Sequence, residues 1–116
     1  MERAVCAVTA AREERSYLIC VDVGDNSVRD AVTSRILRAG SRVQYSVFAV
    51  PATPVILAEL HRDLKTLIRG HRAHVLIFDV GRAATSHSRV IELGCTLYGR
   101  SGPVSEKLRT PNGWFA

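Results

Sequence analysis

The stretch from Tyr17 to Asp25 (YLICVDVGD) carries the two carboxylates best placed to do chemistry. Its β-branched and aromatic residues predict a strand over residues 17–23 that ends at Gly24. Asp22 interrupts this strand, where aspartate is depleted because it competes for backbone hydrogen bonds and is costly to desolvate. Hard cations such as Mg²⁺ and Mn²⁺ prefer carboxylate oxygens. Asp22 is therefore the leading candidate for a metal ligand and for a catalytic residue.

A lone carboxylate makes an incomplete metal site. One aspartate per chain is too few, whereas a two-fold axis would bring two copies of Asp22 together. The alternative for Asp22 is a satisfied structural role, and the residue alone does not separate the two. For Asp25 a turn or helix-start role is favoured over a supporting contact to the site. The HxxH of His71 and His74 lacks a cysteine pair to complete a zinc site and is interpreted as accidental.

Two helices follow from periodicity and capping signals. Ser27 is predicted to cap the first, whose apolar residues recur at helical spacing up to Gly40. Thr53 is predicted to cap the second, with Pro54 at its first position and a leucine stripe that ends at Gly70. Because Ser27 can supply the first cap, the strand aspartate is not needed for that purpose.

Three further segments have strand patterns. Residues 42–50 (RVQYSVFAV) alternate as one long bent strand or two short ones, and strands are also predicted at 74–80 and around 90–94. The order of strands and helices predicts an α+β ferredoxin-like sandwich (βαββαβ), with an antiparallel sheet and two helices on one face. That fold hosts enzymes, regulatory domains and nucleic-acid-binding domains, so it does not fix the function.

Length and charge restrict the class of protein. The 116 residues suit one domain, which is predicted at 17–98. An N-terminal extension (1–16) precedes it and a tail (99–116) follows it. Through Trp114 and Phe115 the tail is expected either to dock on a partner or to fold back onto the core. Sixteen Lys and Arg against eleven Asp and Glu favour an anionic partner, with nucleic acid first and an anionic membrane second. The odd number of cysteines favours a reducing cytoplasm, and no apolar run approaches the ~18 residues of a membrane span.

Basic and polar residues near the first helix are candidates for contacts to a phosphate backbone. Gln44 and Ser46 are predicted to share a strand face with Phe48, either as a solvated face with one exposed aromatic or as a surface that meets phosphates or a second subunit. Ser46, Phe48 and Asp25 are thus candidates for supporting or backbone contacts. A solvated basic face is the usual alternative to a phosphate-binding one. The arginine candidates are Arg29, Arg35, Arg38 and Arg42.

These segments, in this order, resemble the CRISPR-associated protein 2 family over residues 17–98. The matching stretches are the first strand with its end (VDVGD, from Val21 to Asp25), the arginine-bearing helix, and above all the heptapeptide RVQYSVF from Arg42 to Phe48. The Thr-Pro-led second helix and the segments HVLIFDV and VIELG follow in the family's order.

The resemblance implies a ferredoxin-like homodimer in which the C-terminal strand extends the partner's sheet. Asp22 would pair across the two-fold axis to hold one divalent ion, Mg²⁺ or Mn²⁺. Many members look like metal-dependent nucleases that act on RNA or double-stranded DNA. In CRISPR antiviral defence the dimer lies between two dimers of the CRISPR-associated integrase and holds the incoming DNA during spacer acquisition, a role that needs no cleavage.

Two sequence differences bear on catalysis more than on the scaffold role. Val21 stands where many members have tyrosine, and Ala49-Val50 replaces a Glu-Gly or similar pair. The expected function is a DNA-binding scaffold subunit of the spacer-integration complex, with metal-dependent endonuclease activity as a further property. The alternatives are a free-standing toxin-like ribonuclease and a ferredoxin-like regulatory domain that binds a small ligand.

Overall fold

The computed structural model describes residues 13–94 and residue 97. Its strands form one antiparallel sheet in the order β2-β3-β1-β4, which is the predicted ferredoxin-like arrangement. The predicted extension up to residue 12 and the tail with its two aromatics lie outside the described residues. The elements are β1 (Arg15–Val23), α1 (Asn26–Leu37), β2 (Ser41–Gln44), β3 (Val47–Ala52), α2 (Pro54–Ile68), β4 (Ala73–Arg82) and a 3₁₀ turn (Ser86–Arg89).

The core lies between the sheet and the two helices. Alternate residues of β1, from Tyr17 to Val23, are buried against this side, because successive strand residues point to opposite faces. Phe48 of β3 is fully buried among them. Ile36 of α1 and Leu60 of α2 complete the core from the helix side. Both helices therefore cover the same face of the sheet, as the sequence predicted.

No α-helix of residues 13–94 covers the other face of the sheet. Leu76 and Phe78 of β4 are 43% and 51% exposed there. Toward β2 and β3, Val43 and Ala49 form a smaller buried cluster, against which Val90 packs. We call this surface the open face. From the strand registers, its members are Leu18, Cys20 and Asp22 of β1, Val47 and Ala49 of β3, and His74, Leu76 and Phe78 of β4.

The segment predicted as one bent strand or two is a hairpin, with β2 and β3 joined at Tyr45 and Ser46. Ser46 adopts a φ of 63°, which is left-handed backbone and suits a turn. The turn separates Gln44 and Ser46 from the alternation of β3, so Phe48 does not share a solvated face with them. The predicted exposed aromatic is wrong, since Phe48 belongs to the core.

The start of α2 agrees with the sequence prediction, whereas the cap of α1 differs from it. Asp25, not Ser27, caps α1, because its carboxylate accepts a hydrogen bond from the Val28 backbone N–H at 2.9 Å. Ser27 lies inside the helix and donates its hydroxyl to Asp25 at 2.6 Å. Thr53 caps α2 as predicted, accepting from the Ile56 N–H.

Gly40 allows the end of α1 to approach β3. A Cβ at this position would lie 2.1 Å from the Ala49 carbonyl oxygen and 2.7 Å from a methyl group of Val50. Because the nearest atom belongs to the backbone, no side-chain movement could make room. Glycine is thus needed here for packing, and the helix itself already ends at Leu37.

The predicted late strand around 90–94 does not form within this chain. Ile91 and Leu93 are each 93% exposed, and no strand of the described residues pairs with this segment. A strand requires a hydrogen-bonding neighbour. None of the helices within the described residues is long and apolar enough to cross a membrane.

An ion pair joins the two helices. Arg35 of α1 donates from Nε to Asp63 of α2 at 2.8 Å, and the arginine side chain is only 15% exposed. The hydrogen bond from Arg35 holds the pKa of the Asp63 carboxyl below its ordinary value of 3.8. Arg35 therefore acts first as a contact between helices.

We expect Arg35→Ala to lower the free energy of unfolding near pH 7, with a deficit that shrinks in acid. The folded-state pKa of Asp63 is depressed, so its contribution is complete above the unfolded value of about 4 and is lost as pH falls through the folded value. Urea unfolding at pH 7 and at about pH 3 measures the difference. Arg38→Ala, an exposed arginine one turn away, is the control and should change stability by less than about 0.5 kcal/mol. A deficit that is equal at both pH values would contradict the ion-pair explanation.

Candidate metal and nucleic-acid site

Asp22 lies near the end of β1, on the open face, with its side chain exposed. It makes no hydrogen bond or ion pair with any residue of the described part of the chain. The desolvation cost expected from the sequence does not apply, because the carboxylate stays in water. No described residue therefore binds Asp22 in the way that a structural role would require. Both of its carboxylate oxygens are available to an external ligand.

His74 of β4 stands directly opposite Asp22 in the strand register. Facing positions on neighbouring antiparallel strands hold their Cβ atoms about 5 Å apart. Both residues belong to the open face and both are exposed. The sequence interpretation of His74 as accidental did not foresee this placement, because the register between two strands that lie 50 residues apart cannot be read from the pattern.

A single chain offers too few donors for a complete metal site. Within residues 13–94 and 97 no group of three or more His, Cys, Asp or Glu side chains is placed to hold an ion. The donor chemistry of Asp22 suits a hard divalent cation, but one carboxylate and one imidazole leave most coordination positions unfilled. The arrangement fits a metal only if a second copy of the open face supplies the remaining ligands.

The turn after Asp22 is held by several hydrogen bonds. Arg29 donates two hydrogen bonds to the Val23 carbonyl, at 2.9 and 3.1 Å, and another to Asn26 at 2.9 Å. The Gly24 N–H donates to the Arg72 carbonyl at 3.2 Å. Arg29 therefore positions this turn through its guanidinium, and its contact to a phosphate backbone stays a prediction.

Asp25 and Ser46 support the same end of β1. The hydrogen bond from Ser27, together with that from the Val28 N–H, lowers the pKa of Asp25, so its carboxylate serves the helix cap. This is the helix-start role favoured from the sequence. Ser46 contacts the strand through its backbone, since its carbonyl accepts from the Val21 N–H at 2.9 Å.

The remaining arginine candidates differ in exposure. Arg38 is exposed at the end of α1 and forms no ion pair with the described residues. Arg42 is half-buried, with its guanidinium 5.4 Å from the centre of the Phe48 ring. Arg35 is bound to Asp63, as shown above. Of the four arginines, Arg38 is the one whose charge is fully presented to solvent.

Further basic side chains surround this end of the sheet. The loop between α2 and β4 carries His71 and Arg72, both exposed, beside the turn that follows Asp22. Near the end of α2, Lys65 and Arg69 are also exposed. The sequence pattern does not connect the loop with Asp22, because only the folded sheet brings residues 22–25 and 71–74 together.

The first strand, the hairpin and both helices all fall within one family model. The model of the CRISPR associated protein Cas2 family matches residues 15–87. A CRISPR-associated endoribonuclease Cas2 of Rhodospirillum rubrum is 33% identical over 81 residues, covering 70% of this chain and 64% of the relative. Another, from Pyrobaculum aerophilum, is 32% identical over 68 residues, covering 58% of this chain and 75% of the relative. The chain thus spans slightly less than two thirds of the Rhodospirillum relative.

Solved structures share the fold. Cas2 of Streptococcus pyogenes superposes with a TM-score of 0.59 at 24% identity, covering 68% of this chain and 99% of that one. A hypothetical protein from Thermus thermophilus gives a TM-score of 0.55 at 28% identity, covering 58% and 82%. The family model covers more than half of the chain, including Asp22 and the RVQYSVF stretch. The protein belongs to the CRISPR associated protein Cas2 family.

Proposed function

We propose that this protein is a homodimeric, nucleic-acid-binding subunit of CRISPR spacer acquisition, and that two copies of Asp22 hold a divalent cation, Mg²⁺ or Mn²⁺, for endonuclease activity. The observation that carries the proposal is the position of Asp22. It is an exposed carboxylate without a partner in the described part of the chain, on the sheet face where Leu76 and Phe78 are exposed. The relatives from Rhodospirillum and Pyrobaculum, both named endoribonucleases, support the chemistry.

The open face supports dimerisation. A sheet with helices on one side exposes its other side unless something packs on it, and Leu76 and Phe78 leave about half of their surface in water. Contiguous exposed apolar surface is typical of interaction sites. In a two-fold dimer the same face of each copy meets its counterpart, so Asp22 of both copies is brought toward one axis.

The segment after the 3₁₀ turn supports an exchanged strand. Ile91 and Leu93 alternate as in a strand and are almost fully exposed, while one edge of β4 pairs with no strand of the described residues. An exposed strand edge is a template for pairing with another chain. We infer that residues around 90–94 extend the partner's sheet and form a strand only in the dimer.

The residues of the chain have separate roles in the proposed hydrolysis. When bound, a divalent cation supplies activation of the attacking water and offsets charge on the phosphate. Asp22 would hold it, Arg29 fixes the carbonyls of the following turn, and the basic side chains Arg38 and Arg72 attract the phosphate backbone. Val21, which differs from the tyrosine of many relatives, is buried on the helix side, so that difference affects core packing.

The second candidate is a free-standing ribonuclease, which the names of both relatives favour. It shares the dimer and the Asp22 site but needs neither duplex DNA nor the CRISPR-associated integrase. Binding of the purified integrase and of duplex DNA by the dimer separates the two. RNA cleavage without either interaction would favour the ribonuclease, and assembly with both would favour the adaptation subunit.

Phe78→Asp should convert the dimer to a monomer at micromolar concentration, because it places a charge in the exposed apolar part of the open face. Val55→Asp is the matched control. Val55 is also an exposed apolar residue, but it lies on α2, away from that face. Light scattering measures both variants, with circular dichroism to check the fold. Dissociation by both variants, or a monomeric wild-type protein, would contradict the proposed interface.

Affinity for duplex DNA should fall steeply with salt and vary little with sequence, since phosphate contacts dominate. Arg38→Ala should reduce the slope of log K against log salt by about two per dimer, one for each lost contact. Arg62→Ala removes an exposed charge from the other helix and serves as the control. Equal effects of the two variants would mean that DNA binding depends on the net charge of the protein rather than on contacts made at α1. Affinity unchanged between about 50 and 200 mM salt would remove the basic-surface argument.

Asp22→Asn should reduce metal-dependent cleavage of RNA or duplex DNA by at least about 100-fold, because it removes a ligand from each chain. Stability should change by less than about 0.5 kcal/mol, since the carboxylate is exposed. Asp30→Asn, at an exposed carboxylate of α1, is the control and should cleave like the wild type. DNA binding and integrase-dependent integration should survive in both. Full cleavage by Asp22→Asn would show the site to be misassigned, and loss of integration by a folded dimer would contradict the separation of scaffold from catalysis.

A further inference from the structure

We propose that His74 is a second metal ligand in each chain, so that the Asp22 site prefers divalent transition-metal ions that accept imidazole nitrogen over Mg²⁺. The inference rests on the proposed function, because it requires two copies of Asp22 to meet at a two-fold axis. It adds a nitrogen donor that the sequence did not assign, and it changes which cation the site selects.

The register of β1 and β4 places the two side chains together. Asp22 faces His74, and the next facing pair toward the strand end on the same side is Gly24 and Arg72. The Gly24 N–H donates to the Arg72 carbonyl, which identifies this pair as hydrogen-bonded. Pairs alternate along antiparallel strands, so Asp22 and His74 form the next hydrogen-bonded pair, with Cα atoms about 5.5 Å apart. Side chains of facing residues project from the same face of the sheet, and this face is the open one.

Neither side chain is occupied by another contact in the described part of the chain. Both are exposed, and neither makes a hydrogen bond or ion pair with a described residue, including each other. A cross-strand ion pair that merely stabilises the sheet is therefore not formed, although the two residues face one another. Two facing donors without partners are free to turn toward a shared ligand.

The donor set decides the ion. Carboxylate oxygens suit Mg²⁺ and Mn²⁺, whereas imidazole nitrogen suits later divalent ions, whose affinities rise from Mn²⁺ through Co²⁺ to Ni²⁺. One chain offers a carboxylate and an imidazole, fewer than the three donors that a protein site usually needs. A two-fold axis doubles this to two carboxylates and two imidazoles. Four protein ligands of mixed type form a transition-metal site rather than a magnesium site.

His71 provides a matched comparison. It is also exposed and lies three residues before His74, in the loop between α2 and β4. It lies outside the paired residues of β1 and β4. A general effect of removing a histidine from this end of the sheet would appear in both variants, whereas loss of a ligand would appear only at position 74.

The test is metal binding by the full-length dimer without nucleic acid. Co²⁺ is titrated by calorimetry and by its visible absorption, whose bands respond to imidazole nitrogen, and Mg²⁺ is titrated in parallel. We expect His74→Ala to weaken Co²⁺ binding by at least about tenfold, as for loss of a metal-site contact, and to leave Mg²⁺ binding nearly unchanged. His71→Ala should match the wild type for both ions. His74→Asp, which replaces the imidazole with a carboxylate, should lose the Co²⁺ preference while binding Mg²⁺ at least as well.

The outcomes separate this inference from the proposed function. Co²⁺ binding that depends on Asp22 but is unaffected by His74→Ala and His74→Asp would overturn the role of His74 and leave the Asp22 site intact. Co²⁺ and Mg²⁺ binding that is unchanged in Asp22→Asn would overturn both. Circular dichroism and light scattering verify that each variant is folded and dimeric, and His74→Asp keeps a polar side chain if His74→Ala alters the fold.

Discussion

The structure depends on the two-residue alternation of β1, a central strand of a sheet whose two described α-helices lie on one face. Tyr17, Ile19, Val21 and Val23 face the helices and form the middle of the core. The intervening residues must then face the other side. A shift of one residue would place Asp22 under the helices and expose the core residues, so burial fixes the register strongly. The position of the candidate ligand is thus a consequence of core packing.

The end of β1 is also rigid, which a metal ligand requires. Arg29 ties the carbonyls after the strand to α1, Asp25 caps that helix, and Ser46 binds the backbone just before Asp22. These contacts hold the backbone on both sides of Asp22 without involving its carboxylate. A ligand on a rigid strand, supported by neighbours with their own hydrogen bonds, keeps its geometry better than one on a loop.

Local patterns predicted much of this arrangement, and contacts between distant segments explain what they missed. The spacing of hydrophobic residues and the capping residues predicted the βαββαβ order and the start of α2 at Thr53, because each of these depends on residues that are close in sequence. Arg35 could not be recognised as a helix contact, since its partner Asp63 is 28 residues away. Phe48 was placed on the wrong face because the turn at Ser46 interrupts the alternation. His74 could be recognised as a candidate ligand only from the strand register, which places it opposite Asp22.

On the proposed interface, cation binding would assist dimerisation, whereas the two Asp22 carboxylates without a cation would oppose it. Packing two open faces together buries Leu76 and Phe78, which favours association by the hydrophobic effect. The same packing brings two Asp22 carboxylates together, and like charges at short distance disfavour it. A cation between them removes this repulsion, and any ligand that binds the dimer better than the monomer stabilises the dimer by mass action. On the proposed interface, the residue that holds the cation therefore weakens the dimer in its absence. Cation concentration would then regulate assembly as well as cleavage.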